Sequence, residues 1–211
     1  GCCVALVKAI PYRLGIKKAR FLSSPTRLDN ALTNSAFSMA PELEIIAEIG
    51  VNHNGDLELA MQLVEAAANA GATTVKFQVF KTEHLVTREV GTAEYQRLKG
   101  DENQYELLEK LELAEKDFRP LKDLTESLGL NFLATPDDYL SFRFLVDKLR
   151  VDRIKVGSGE ITNHRFLDQI GSEKIPLIVS TGMSTIPEIH QAIEVLGEPA
   201  ETALVMLHCT S

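Results

Sequence analysis

Apolar runs too short for helices recur along the chain, each separated from the next by a longer stretch of helical periodicity. Residues 43–49 (LEIIAEI), 73–77 (TTVKF), 131–134 (NFLA), 153–156 (RIKV), 175–179 (IPLIV) and 203–207 (ALVML) predict six strands. Between the first two, Val51-Asn52-His53-Asn54-Gly55-Asp56 reads as a turn with N-cap chemistry. Residues 57–70 then predict a helix, with Leu59, Leu63 and Ala66 on its apolar side and Gly71 ending it. Further helices are predicted over 105–111, over 115–128 (broken or begun near Pro120), over 139–148, over 166–170 and over 186–195. Pro136 blocks the third strand, Asp137 or Asp138 caps the helix after it, and Ser184 or Thr185 caps the last helix. The long mixed stretch 79–103 predicts a functional loop or extra small helices.

Strand and helix in alternation predict parallel strands with helices packed outside them. The polar residues of each unit collect at one place, the C-terminal end of the strand: Glu48, Lys76 with Gln78, Thr135, Lys155 with Ser158, Ser180, and His208. In a (β/α)8 barrel those ends form the active-site rim, and in an open doubly wound sheet they also face the ligand. No G-x-G-x-x-G follows the first strand, which weighs against a dinucleotide site. The expected fold class is therefore α/β, a TIM (β/α)8-type barrel, incomplete, with about six βα units present.

The centre of the pattern is Lys155-Val156-Gly157-Ser158-Gly159-Glu160. Glycines admit an anion close to backbone N–H groups, Ser158 adds a hydroxyl donor and Lys155 a point charge. The same residues also suit a plain strand-to-helix turn. Two lysines on one rim, Lys76 and Lys155, with Thr135, Ser158 and Ser180, favour an anion cradle, although either lysine also suits a Schiff base. Glu48 reads as an acid or base, or as an ion-pair partner of Lys76. Glu160 is a candidate to bind a hydroxylated substrate. His53 reads as turn chemistry, His208 as a core residue, and His84, His164 and His190 as surface residues. Cys209 reads as a packed thiol without a basic partner. Asp137 and Asp138 read as helix caps. No P-loop, zincin, nucleophile-elbow or zinc-finger spacing occurs.

Composition narrows the class. A net charge of −8 argues against nucleic acid as partner, and no apolar run approaches membrane-spanning length. Cys2, Cys3 and Cys209 form neither a disulfide framework nor a metal spacing, which fits a reducing, cytoplasmic setting. Residues 1–38 carry six basic side chains against Asp29 alone, a local charge of +5 that leaves −13 for the rest. This Ser-rich head reads as an organelle transit segment or as an extension ahead of Met39, and residues 1–40 are set aside from the fold as an unassigned basic extension or leader.

Taken as a set, the rim motifs resemble one family. Ile46-Ala47-Glu48-Ile49-Gly50-Val51-Asn52-His53-Asn54-Gly55, Val75-Lys76-Phe77-Gln78, Ala134-Thr135-Pro136, Lys155-Val156-Gly157-Ser158-Gly159-Glu160, Ser180-Thr181-Gly182-Met183 and Leu207-His208-Cys209-Thr210-Ser211 stand in the order found in the sialic acid synthases. These include N-acetylneuraminate, legionaminate and pseudaminate synthases and spore-coat polysaccharide relatives. The resemblance covers about residues 43–211. It implies a TIM barrel followed by a small antifreeze-like domain, a homodimer in the full-length form, and condensation of phosphoenolpyruvate with N-acetylmannosamine or a related amino sugar. It implies a divalent metal, manganese or magnesium, at the sugar aldehyde. By the same resemblance Glu48 and Lys76 are catalytic. Lys76, Thr135, Lys155, Ser158, Ser180 and Ser211 bind phosphoenolpyruvate, and Gln78 and Glu160 orient the sugar hydroxyls. Ser211 stands where many relatives carry Asn.

The family's metal-binding histidines, its last two barrel strands and the antifreeze-like domain are expected beyond Ser211, so the chain reads as part of a synthase that by itself lacks the metal ligands. Two other readings stay open: a Schiff-base aldolase working through Lys76 or Lys155, and a non-catalytic barrel fragment that binds phosphorylated sugars.

Overall fold

The computed structural model describes residues 3–7, 43–88, 103–197 and 203–209. Seven strands form one sheet in the order β1 (Cys3–Val7), β2 (Glu44–Gly50), β3 (Thr74–Val79), β4 (Asn131–Pro136), β5 (Ile154–Val156), β6 (Leu177–Ser180) and β7 (Leu204–Leu207). From β2 to β7 every pairing is parallel, and the six strands curl into part of a barrel. The incomplete TIM barrel expected from the alternation is what the chain forms. β1 is the addition: five residues of the head set aside from the fold pair antiparallel with β2, from Cys3 opposite Glu48 to Val7 opposite Glu44. The rest of the head lies outside the described residues.

Helices return the chain between strands. Asp56 caps α1 (Leu57–Asn69) by accepting from the amides of Glu58 (2.8 Å) and Leu59 (3.1 Å), as the turn chemistry predicts. A short helix α2 (Thr82–Leu85) follows β3, then α3 (Gln104–Leu111) and α4 (Glu115–Ser127). α4 runs straight through Pro120, where the sequence predicted a break or a start. Its buried stripe of Phe118, Leu121 and Thr125 spans the proline, and that packing outweighs the one backbone bond proline cannot make. α5 (Tyr139–Arg143) widens into a π-helical turn over Phe144–Leu149 and stops at Arg150 in the left-handed region, φ 54°. α6 (His164–Ser172) and α7 (Ile186–Leu196) complete the outer layer; Thr185 caps α7 through Glu188.

Strand residues alternate between two environments. One set, including Ala47, Val75, Phe77, Phe132, Ala134, Ile154, Val156 and Val179, packs under the helices in the main core. The other set faces the concave side. There Ile46, Leu133 and Ile178 make a small apolar layer of their own. Polar residues stand above this layer, at the C-terminal strand ends. Below it Arg153 meets both carboxylate oxygens of Glu44 (Nη1 to Oε2 2.9 Å), and Thr74 donates to Glu44 at 2.6 Å.

Candidate active site at the strand C-terminal ends

Register brings the predicted rim residues together. Glu48 lies opposite Lys76, and Gln78 opposite Thr135. Paired residues of parallel strands point to the same face, so the concave side receives Glu48, Lys76, Gln78 and Thr135 from three consecutive strands. Lys155 stands on β5 and Ser180 ends β6, in step with Lys76 and Thr135 by the same alternation.

The pair at the centre is Lys76 and Glu48, with Nζ 2.5 Å from Oε1. Lys76 is buried at 3% exposure, whereas the Glu48 side chain keeps 30%. A buried ammonium needs such a counter-charge, so the ion-pair reading of Glu48 holds. β2 breaks register just beyond Glu48, and Gly50 adopts φ +55°. A Cβ there would stand 3.0 Å from Glu48 Oε1 and 3.3 Å from Gln78 Oε1. Glycine therefore lets both acceptors approach the backbone at the end of β2.

Lys155 is partly buried, and its proton affinity is lowered, first by burial and then by the charge of Lys76. Glu48, Cys209 and Asp137 act on it in the opposite sense. Cys209 keeps its reading as a thiol packed at the end of β7, its Sγ donating to the carbonyl of Leu207 at 3.6 Å. Between the two lysine strands, Thr135 is 3% exposed, and its Oγ1 has no hydrogen-bond partner among the described residues. A buried hydroxyl left so can donate a hydrogen bond to a bound ligand or accept one from it. Ser158 opens a single 3-10 turn, Ser158–Glu160, beside β5. Glu160 Oε2 accepts from Asn163 Nδ2 at 2.7 Å, and the cap of α6 is Asn163 itself, whose Oδ1 accepts from Phe166. Glu160 is thus braced by the cap without being the cap. Ser180 is 6% exposed at the end of β6. Ser211 lies outside the described residues.

Two readings change. Asp138, not Asp137, caps α5: its Oδ1 accepts from the amide of Ser141 (2.9 Å) and its Oδ2 from the Ser141 hydroxyl (2.6 Å). Asp137 instead turns to the rim, where its Oδ2 accepts from Gln78 Nε2 at 3.2 Å. Its carboxyl is pushed up to about 6, chiefly by burial, against the pull of Gln78 and Lys76. Two adjacent aspartates at one helix start look alike in sequence, and only the strand geometry separates them. His208, read as a core residue, is exposed, because the chain leaves the sheet at Leu207.

His53 keeps its structural reading. It is buried, its Nδ1 accepts from the amide of Gly55 at 3.1 Å, and burial lowers its proton affinity. Among the described residues no group of three or more His, Cys, Asp or Glu is placed to hold a metal ion. None of their helices is long and apolar enough to cross a membrane. A cavity of about 440 Å³ opens at the other end of the strands, beside Glu44, Thr73, Asn131 and Arg153, but its arginine is already neutralised by Glu44.

The rim therefore offers two ammonium groups, a buried hydroxyl in need of a partner, serines on adjoining strands, and a carboxylate beside the innermost lysine. That set can hold a multiply charged anion and move a proton next to it. Known proteins agree with this reading of the fold. The NeuB family matches residues 63–211. The N,N'-diacetyllegionaminic acid synthase of Legionella pneumophila is 49% identical over 173 residues, covering 79% of this chain and 48% of that protein. The human N-acetylneuraminate-9-phosphate synthase is 32% identical over 168 residues, 79% of this chain and 46% of that protein. Among solved structures, the N-acetylneuraminic acid synthetase of Leptospira borgpetersenii, in complex with citrate, superposes with a TM-score of 0.65 at 28% identity, over 79% of this chain and 53% of that one. The chain thus spans about half the length of the curated relatives it matches.

Proposed function

The chain belongs to the NeuB family, and from that premise we propose that the protein condenses phosphoenolpyruvate with an N-acetylated amino sugar, N-acetylmannosamine or a relative, to make a nonulosonic acid of the sialic acid class. The observation that carries this reading is the convergence of Lys76 and Lys155 on one rim. Burial and mutual repulsion lower the proton affinity of Lys155, and a bound anion relieves that repulsion. Phosphoenolpyruvate carries a carboxylate and a phosphate. Lys155, Ser158, Ser180 and Ser211 take the phosphate, and Lys76 with Thr135 takes the carboxylate side. The Thr135 hydroxyl, buried without a partner among the described residues, gains one in this arrangement.

In the reaction, carbon 3 of phosphoenolpyruvate forms a bond to the sugar's aldehyde carbon, and the aldehyde oxygen takes a proton. Water adds at carbon 2, and the carbon 2–oxygen bond to the phosphate breaks. Sugar, phosphoenolpyruvate and water become a 2-keto acid and inorganic phosphate. In this reading Glu48, paired with Lys76, takes the proton of the attacking water. Lys76 and Lys155 stabilise the departing and remaining negative charge with donors fixed in advance. Gln78 and Glu160 orient the sugar. A divalent metal of the kind the family reading implies, manganese or magnesium, would polarise the sugar aldehyde when bound; no group of the described residues would hold it. A homodimeric full-length protein and a cytoplasmic location come with the family reading.

The test is phosphate release from phosphoenolpyruvate with manganese and N-acetylmannosamine by a full-length form that carries the family's metal ligands, with Lys155→Ala as control. Release that needs both substrates and is lost in the variant is the expected result. Absence of phosphoenolpyruvate binding by calorimetry, in the parent protein at millimolar ligand, would overturn the reading.

A further inference from the structure

Asp137 is a carboxyl at the rim to which, among the described residues, neither a cap nor an ion pair gives a task. Its backbone amide continues the ladder by donating to Val79 at 3.0 Å, which fixes the residue over the end of β3. From there its Oδ2 accepts from Gln78 Nε2. Since a carboxylate only accepts, this bond decides which end of the Gln78 carboxamide is which. The amide nitrogen is committed to Asp137. The amide oxygen is left toward Gly50, on the side where Glu48 Oε1 also stands. Two acceptors then border the same small space.

We propose that Asp137 is a positioning and specificity-determining residue: it holds Gln78 with its oxygen toward the substrate, so that this corner of the site selects a ligand presenting hydrogen-bond donors, a hydroxyl with an adjacent amide N–H. An N-acetylated amino sugar has that pair, and this assignment of the ligand rests on the function proposed above. The holding of Gln78 itself does not. Facing Asp137 are Lys76 from β3, Lys155 from β5, Glu160 from the turn after β5, and Asp138 beside it. Protonating Asp137 makes it a donor, which frees the Gln78 nitrogen and lets the carboxamide turn over.

The experiment has two arms. In the first, the side-chain amide resonances of Gln78 are followed by NMR from pH 4.5 to 8 in the 15N-labelled parent and in Asp137→Asn. The parent is expected to show one transition near pH 6, where the carboxyl of Asp137 titrates; the variant is expected to show none. A Gln78 amide that does not respond in the parent, or responds equally in the variant, overturns the proposal. In the second arm, affinities for phosphoenolpyruvate and, in its presence, for N-acetylmannosamine are compared between parent, Asp137→Asn and Asp137→Leu. Sugar affinity is expected to fall about tenfold in Asp137→Leu, with Asp137→Asn partly rescuing it and phosphoenolpyruvate affinity unchanged within about twofold. Equal sugar affinity in all three overturns the specificity role. If the parent binds no phosphoenolpyruvate, the function proposed above fails, and the Gln78 titration still decides the role of Asp137.

Discussion

Replacing Glu48 with Gln isolates what the centre of the rim costs to hold. Glu48→Gln keeps the shape and removes the charge that faces Lys76 at 2.5 Å. Lys76 is 3% exposed and cannot turn its ammonium out to water. Removing one partner of a fully buried pair costs about 3–5 kcal/mol. Since the Glu48 side chain is 30% exposed, the low end applies, about 3 kcal/mol. Lys76→Met leaves the more accessible carboxylate behind and is expected to cost less, about 1–2 kcal/mol. The double variant should recover part of the sum, with a coupling free energy of about 2 kcal/mol. Urea denaturation at neutral pH measures all four proteins. An anion that binds Lys76 replaces the missing carboxylate, so saturating phosphoenolpyruvate should raise the stability of Glu48→Gln more than that of the parent. A Glu48→Gln protein within about 1 kcal/mol of the parent would refute the reasoning, because Lys76 would then have another way to be neutralised or hydrated.

Asp137→Asn should change stability in a pH-dependent way. The folded carboxyl sits at about 6, above its ordinary value, so the folded state carries no penalty while the group is protonated and bears one as pH rises through 6. Asp137→Asn should therefore gain on the parent between pH 4 and 7, approaching about 2–3 kcal/mol, and a flat difference in melts across that range would contradict it. Gly171→Ala places a Cβ 2.5 Å from the Leu196 carbonyl, where α6 meets α7. It should cost about 1–3 kcal/mol in chemical denaturation and leave phosphoenolpyruvate binding intact. Because the proton affinity of Lys155 is lowered, phosphoenolpyruvate affinity should begin to fall at a pH below that of ordinary lysines, and Lys155→Ala should lack that fall in a calorimetric pH series. Borohydride with pyruvate should leave Lys76 and Lys155 unmodified by mass spectrometry; an adduct on either would favour Schiff-base aldolase chemistry instead.

Much of the barrel was readable because strand and helix differ in period, and because a charge inside an apolar run such as 43–49 must face something polar. Glu48, Lys76, Gln78, Thr135, Lys155 and Ser180 were found that way. What escaped depends on direction or tertiary packing. Asp137 and Asp138 are equally good caps on paper, and only the docking of β4 beside β3 turns one of them to the rim. Pro120 signals a break, but the apolar stripe on both sides of it holds α4 together. The pairing of β1 with β2 joins residues some forty positions apart, and a five-residue apolar run names no partner.

The alternation of the strands has an evolutionary consequence. Chemistry and packing occupy odd and even positions of the same short segments: Lys76 beside Phe77, Thr135 beside Ala134, Lys155 beside Val156. Point substitutions at every second residue can re-specify the substrate without entering the core under the helices. A single-residue insertion or deletion within β3 cannot, since it would bury Lys76 among Phe118 and Phe132 and turn Phe77 onto the rim. Lineages sharing this barrel are thus free to diverge by replacement within strands, and are confined to the loops for changes of length.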